Sequence, residues 1–163
     1  MARNGTRQEE KESTSITPLA LGQNCNIHLV YPDEVPHIWD QVEPLLAKAT
    51  PYSEGEVEAQ DFAYLIINNE MQLWVSIEEK SVTAAMVTQV VHYPRKKVLR
   101  IIALGGKGLR RMQEKFEPTL EGYAIKAGCS ALEAWTRRGL LRLVKDWKQS
   151  YIIITKDIKE KMH

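Results

Sequence analysis

The sequence predicts an α/β (α+β mixed) domain with a central mixed sheet, mostly antiparallel, and helices on both faces. Three observations lead there. Segments 71–78, 81–94 and 97–104 are apolar, strand-like and joined by short turns, which reads as an antiparallel meander. A long segment with helical spacing, 109–127, connects the last of them to a further strand-like run at 130–136, and that crossover requires a parallel pair. Two more helical segments, 35–49 and 56–69, precede the meander and need a sheet face to cover.

Each element has a local reason. "NCNIHLVYP" (24–32) alternates as a strand and is stopped by Pro32. In 35–49, Val35, Ile38, Trp39, Val42, Leu45, Leu46 and Ala49 fall on one helical face. Pro36 suits the first turn, whereas Pro44 should kink or split the helix. "PYSEGE" is a loop with Ser53 as a cap for the next helix. That helix aligns Phe62, Leu65 and Ile66, and Asn68-Asn69 ends it. "EK" (79–80) makes a tight hairpin turn and "RKK" (95–97) the next one. Leu109, Met112, Phe116, Leu120, Tyr123, Ala124 and Ala127 carry the long helix, bent at Pro118 and capped by Gly128. "RRGLLRLVKDW" (137–147) reads as a short helix and "SYIIITKDI" (150–158) as a final strand.

Bulk properties narrow the function classes. The chain has 163 residues, enough for one core, and a net charge of +1, which gives no electrostatic basis for nucleic acid or an anionic membrane. No apolar run approaches the roughly 20 residues that span a bilayer. Residues 1–20 are polar and charged and predict an arm that stays flexible unless docked on a protein partner; residues 21–163 form the single domain. The arm does not have the pattern of a signal peptide. Cys25 and Cys129 form no metal or redox pattern with the four histidines and read as reduced core thiols of a cytoplasmic protein. The four tryptophans, Trp39, Trp74, Trp135 and Trp147, read as core or interface anchors.

The stretch "ALGGKGLRRM" (103–112) lies between a strand and a helix. Glycines there permit a tight turn and close approach, and a helix start offers unpaired N–H groups to a phosphate. A phosphate-binding turn and an ordinary strand-to-helix turn both fit. Glu133 alternates with Ala131 and Trp135, so it is either an inward carboxylate suited to a base or a salt-bridged one.

The element order over 24–158 resembles the GNAT superfamily of acetyl-CoA-dependent acetyltransferases. Gly105-Gly106, the stretch from Ala124 to Gly128-Cys129, Arg137-Arg138-Gly139 and Trp147 are similar in order and spacing to the GNAT-like proteins of tailed bacteriophages. The resemblance implies a parallel pair splayed at the glycine turn, with the pantetheine arm of coenzyme A in the gap. It assigns the pyrophosphate to Leu104, Gly105, Gly106, Lys107, Gly108, Leu109 and Arg110, with the N–H groups of Gly106 and Gly108 pointing outward. Gly106→Val should then abolish coenzyme A binding and leave the fold intact. The family's leading Arg or Gln falls on Ala103, and the helix at 137–147 has no tyrosine. The catalytic roles fall on Glu133 as base and Tyr151 as acid, without a metal. The resemblance implies acetyl transfer to an amine, or a catalytically degenerate GNAT fold serving as a virion or assembly component, in host cytoplasm or virion. A homo-oligomer or viral assembly is compatible with either.

Overall fold

The computed structural model describes residues 27–49, 55–107, 109–136, 141–142 and 144–159, with side chains unassigned at 109–112. Its elements run β1 (Ile27–Val30), α1 (Val35–Ala47), α2 (Ala59–Ile67), β2 (Gln72–Glu78), β3 (Ser81–Tyr93), β4 (Lys96–Gly106), α3 (Leu109–Lys126) and β5 (Ala131–Ala134). The strands form a single sheet in the order β1-β2-β3-β4-β5. Neighbours are antiparallel except β4 and β5, which are parallel. The parallel pair across the long helix is what the crossover pattern predicts.

Alternation along the strands divides the core between the two faces. Leu73 and Val75 of β2 join Val87 of β3 on one face, where Val35, Val42 and Leu46 of α1 and Phe62 and Ile66 of α2 cover them. Trp74 and Met86 point to the other face and meet Phe116, Leu120 and Ala124 of α3. Trp74 is fully buried, and its Nε1–H donates to the Thr88 hydroxyl at 2.9 Å, so the indole brings no unpaired donor into the core.

The turns and caps follow local chemistry. Glu79 and Lys80 both have positive φ, 48° and 65°, the geometry of a two-residue hairpin turn whose twist matches its strands. Gly128 (φ 77°) ends α3, with Cys129 N–H donating to Ala124 O at 2.8 Å and Gly128 N–H to Ile125 O at 3.1 Å. Glu58 sits at the N-cap of α2, and its N–H donates to Asp61 Oδ2 at 2.9 Å. Ser53, the expected cap, lies outside the described residues, as do the arm at 1–20 and Cys25.

Several expectations change. Pro44 does not split α1, which runs through it from Val35 to Ala47, and α3 likewise continues through Pro118; both prolines lie on exposed faces. Gly105 and Gly106 are not a turn; they are the last two residues of β4 and pair with Ala85 and Ala84. Of the helix expected at 137–147, only Leu141 is helical among the described residues, and Val144–Trp147 are not, with Asp146 at φ 65°. The final strand expected at 150–158 is not assigned: the segment pairs with no strand among the described residues and is exposed throughout. Its β-branched residues have strand preference, but a strand exists only where a neighbour accepts its hydrogen bonds.

Candidate functional site

The parallel ladder is short. It runs from Val98↔Ala131 to Ile101↔Ala134 and stops there, while β4 continues five residues further to Gly106. A bulge marks the point of departure. Val87 pairs with Ala103 and Thr88 with Ile101, so Ile102 is the extra residue. Its effect shows in the packing: Ile102 and Ala103, though consecutive, both lie against the α1–α2 core, whereas Ile101 and Leu104 lie against the α3 core. Beyond the bulge the backbone of β4 on its β5 side meets no strand among the described residues. A cleft of about 840 Å³ opens there, between Ile101 and Leu104 of β4, Phe116 and Leu120 of α3, Leu132 of β5, and Trp147. The Trp147 indole is fixed by a hydrogen bond from Nε1–H to Glu117 Oε1 at 3.0 Å.

The glycines at the end of β4 serve the protein's own packing. A Cβ on Gly105 would overlap the main-chain carbonyl of Leu45, so its absence lets α1 seat directly on the strand. Gly106 has φ 138°, and a Cβ there would lie 2.6 Å from Ala84 Cα, Ala84 Cβ and Thr83 O. A side chain at 106 therefore collides with β3, which overturns the expectation that Gly106→Val leaves the fold intact. The Lys107 N–H is also engaged, donating to Thr83 O at 3.2 Å. Leu104 lines the cleft and the Lys107 side chain is exposed beside the start of α3. Gly108 lies outside the described residues, and Leu109 and Arg110 begin α3.

Glu133 is salt-bridged. Register places it beside Arg100 across the parallel pair, and Arg100 Nε–H donates to Glu133 Oε1 at 2.6 Å. Tyr93, near the end of β3, completes the group: its hydroxyl lies 3.1 Å from Glu133 Oε2 and accepts from Arg100 Nη2 at 2.9 Å. The Arg100 guanidinium stacks on Trp135 at 4.1 Å from the ring centroid. Glu133 and Trp135 line the cleft. Tyr151 lines it too, from the exposed 150–158 segment, and packs in no core. His92 and Arg142 are exposed, and Arg137 and Arg138 lie outside the described residues.

On the α3 face, Tyr123 meets Trp74 edge-on with ring centroids 5.2 Å apart. Burial pushes its phenol pKa above the ordinary 10.0, and the neighbouring Cys129 adds to the shift. No group of acidic, histidine or cysteine side chains among the described residues can hold a metal ion. No described helix is long and apolar enough to cross a membrane.

Neither a family model nor a curated protein matches this sequence. Solved structures do match the fold. An aminoglycoside acetyltransferase from an uncultured soil metagenomic sample superposes with a TM-score of 0.61 at 11% identity, over 84% of this chain and 99% of that one. A GNAT family acetyltransferase from Staphylococcus aureus gives 0.55 at 14% identity, over 81% and 97%. The chain has the GNAT fold. A ribosomal-protein-alanine N-acetyltransferase from Brucella melitensis shares it as well, with a TM-score of 0.53 at 13% identity over 78% of this chain and 99% of that one. The GNAT frame accounts for the order of elements and for a mostly antiparallel sheet with one parallel pair.

Sequence reasoning missed Arg100. A signal was present: "KKVLRIIAL" places a single arginine inside an apolar strand, and a buried cation needs an anion on the same face of a neighbouring strand. Trp135, read only as an anchor, is the stacking partner of that arginine.

Proposed function

We propose that the chain binds acetyl-CoA in the cleft between β4 and β5 and acetylates an amine of a protein or a small molecule. The observation that carries this reading is the β4 edge beyond Ile101, which continues to Gly106 with its β5-side backbone groups unclaimed by any strand among the described residues. An extended, amide-bearing ligand can supply the missing partners, and buried backbone groups require them. Ile101, Leu104, Phe116 and Leu120 offer apolar walls for such an arm. The stretch Leu104–Arg110 would hold the diphosphate. Because Gly105, Gly106 and the Lys107 N–H are engaged internally, the contacts would come from the first turn of α3 and the Lys107 ammonium. One structural neighbour is named as a ribosomal-protein-alanine N-acetyltransferase and another as an aminoglycoside acetyltransferase, which supports an amine acceptor here.

Acetyl-CoA would supply an acetyl thioester. The amine nitrogen forms a bond to the carbonyl carbon as the carbon–sulfur bond breaks, so a proton must leave nitrogen and one must reach sulfur. Glu133, one of three carboxylates at the cleft with Glu117 and Asp146, would take the first, and Tyr151, one of several hydroxyls there, would give the second. Glu133 already accepts hydrogen bonds from Arg100 and Tyr93. That engagement favours a second reading, a catalytically degenerate GNAT fold that serves as a phage virion or assembly component.

Calorimetric titration with acetyl-CoA separates the two. Binding at micromolar concentration, weakened by Lys107→Glu, supports the acyltransferase, and turnover lost in Glu133→Gln assigns the base. Absence of binding at millimolar acetyl-CoA leaves the assembly role.

A further inference from the structure

We infer that the acceptor is an amine that also carries a carboxylate, held on a platform of Tyr93, Lys96, Arg100, Glu133 and Trp135; the inference rests on the acyltransferase reading and names its substrate class. The first observation is a bare stretch of sheet. On β3 and β4 the α1–α2 core takes in Val82, Ala85, Val87, Ile102 and Ala103 and stops there. Further along, toward the β3–β4 hairpin, register sets Tyr93 opposite Lys96, Gln89 opposite Arg100, and Arg100 beside Glu133. Alternation puts these side chains on the face that the α1–α2 core leaves open. Tyr93 is 37% exposed and Trp135, stacked on Arg100, is 58% exposed.

The second observation is unused hydrogen-bonding capacity and charge. The Arg100 side chain is only 13% exposed. A guanidinium has five N–H donors. Nε–H goes to Glu133 and one Nη2–H to the Tyr93 hydroxyl, and the others meet no acceptor among the described residues. Donors at this depth call for partners. Lys96 lies 5.6 Å over the Tyr93 ring and meets no carboxylate among the described residues. Gln89 is neutral, so Arg100 and Lys96 against Glu133 leave a surplus positive charge, to which exposed Arg95 adds. A carboxylate between Lys96 and the free edge of Arg100 offsets that surplus and supplies the acceptors.

The third observation is position. Under the acyltransferase reading the diphosphate lies at Leu104–Arg110 and the arm follows the open β4 edge. From Gly106 back to Ile101 that edge spans about 17 Å. It closes at Ile101↔Ala134, one step from Arg100↔Glu133. The acetyl group therefore arrives beside Glu133, and Lys96 lines the same cleft toward its other end. An acceptor with its amine at Glu133 and a carboxylate a few atoms away meets Arg100 and Lys96. The charges of the site mirror those of such an acceptor, and they turn away a polycation, which has no anion for Lys96.

The test uses the full chain and two pairs of amines that differ in the anion. One pair is phenylalanine and phenylalaninamide; the other is the C-terminally amidated tripeptides Ala-Asp-Ala and Ala-Asn-Ala. Binding is titrated calorimetrically in millimolar coenzyme A, and product formed from acetyl-CoA is followed by mass spectrometry. In at least one pair the carboxylate member should bind about 10-fold more tightly, the size of one charge-assisted hydrogen bond, and be acetylated in preference. Selectivity in the first pair identifies a free amino acid, and in the second a peptide amine beside an acidic side chain. Lys96→Glu, at an exposed position, should remove or reverse the selectivity with circular dichroism unchanged. Equal or absent binding within both pairs, tighter binding of the amides or of the aminoglycoside sisomicin, or selectivity untouched by Lys96→Glu overturns the inference. The reading beneath it fails separately. Carboxylate-selective binding without acetyl-CoA binding keeps the platform and removes the acyltransferase, whereas acetylation without carboxylate selectivity does the reverse.

Discussion

Replacing Gly105 by alanine adds one methyl group where α1 touches β4. The obstacle is main chain, because the new Cβ would overlap the Leu45 carbonyl, and a helix backbone cannot rotate aside as a side chain can. Relief requires moving α1, whose Val35, Val42 and Leu46 are among the most deeply buried residues of the protein. Overpacking typically costs about 1–3 kcal/mol, and a backbone obstacle under a buried helix places this change at the upper end, about 3 kcal/mol. For a chain of this size that loss lowers Tm by about 10 °C. Gly55→Ala is the control: φ is 86° but nothing lies within 4 Å, so only the left-handed strain is felt, about 1 kcal/mol. Urea unfolding followed by circular dichroism measures both, and acetyl-CoA titration of the same variants adds the second readout. If Gly105→Ala unfolds within about 0.5 kcal/mol of wild type, the packing account of this glycine is wrong. If that stable variant also loses acetyl-CoA binding, the glycine serves the ligand.

Three other outcomes are expected. Lys80→Gly should stabilise the hairpin by about 0.5–1 kcal/mol, since φ 65° strains a lysine and the gain is only partly offset by the freer unfolded chain, as a urea midpoint will record. Tyr123 has a raised pKa in the folded chain, so its contribution is intact below the ordinary 10.0 and is lost as pH rises above it, where the unfolded chain ionises first. Melting scans at rising alkaline pH should therefore show a steeper loss for wild type than for Tyr123→Phe. Arg100→Met should cost about 2 kcal/mol by leaving Glu133 short of its cation, and adding Glu133→Leu should restore most of it, which a double-mutant cycle in urea will test.

The meander, the α1–α2 pair and the crossover helix were legible because each rests on periodicity, and periodicity is a local record of which face is buried. The cap at Gly128 and the turn at Glu79-Lys80 were legible for a related reason: the chain reverses there between two strongly patterned segments. Proline was legible only in part: a split of α1 at Pro44 does not occur, because a solvent-facing proline can be carried inside a helix. The segment 150–158 misled in the opposite direction. Its composition states a preference for extended backbone, but whether a strand forms depends on a neighbour elsewhere, which composition does not record.

The candidate site was legible in outline and misassigned in detail, and register explains the difference. From the sequence, Gly105-Gly106 and Glu133 are isolated signals, each open to a ligand-facing or an internal use. Pairing decides: Gly106 opposite Ala84 has no room for a side chain, and Glu133 beside Arg100 has a cation within 2.6 Å. The one-residue bulge at Ile102 bears on both. Without it, Ala103, Leu104 and Gly105 would each face the opposite side of the sheet, and Gly105 would not meet Leu45. The same insertion marks where β4 continues past its partner and the cleft begins. A single unpaired residue thus sets the seat of α1, and it lies where β4 runs past the end of the four-residue β5, so the packing of the glycines and the mouth of the cleft meet at one break in the ladder.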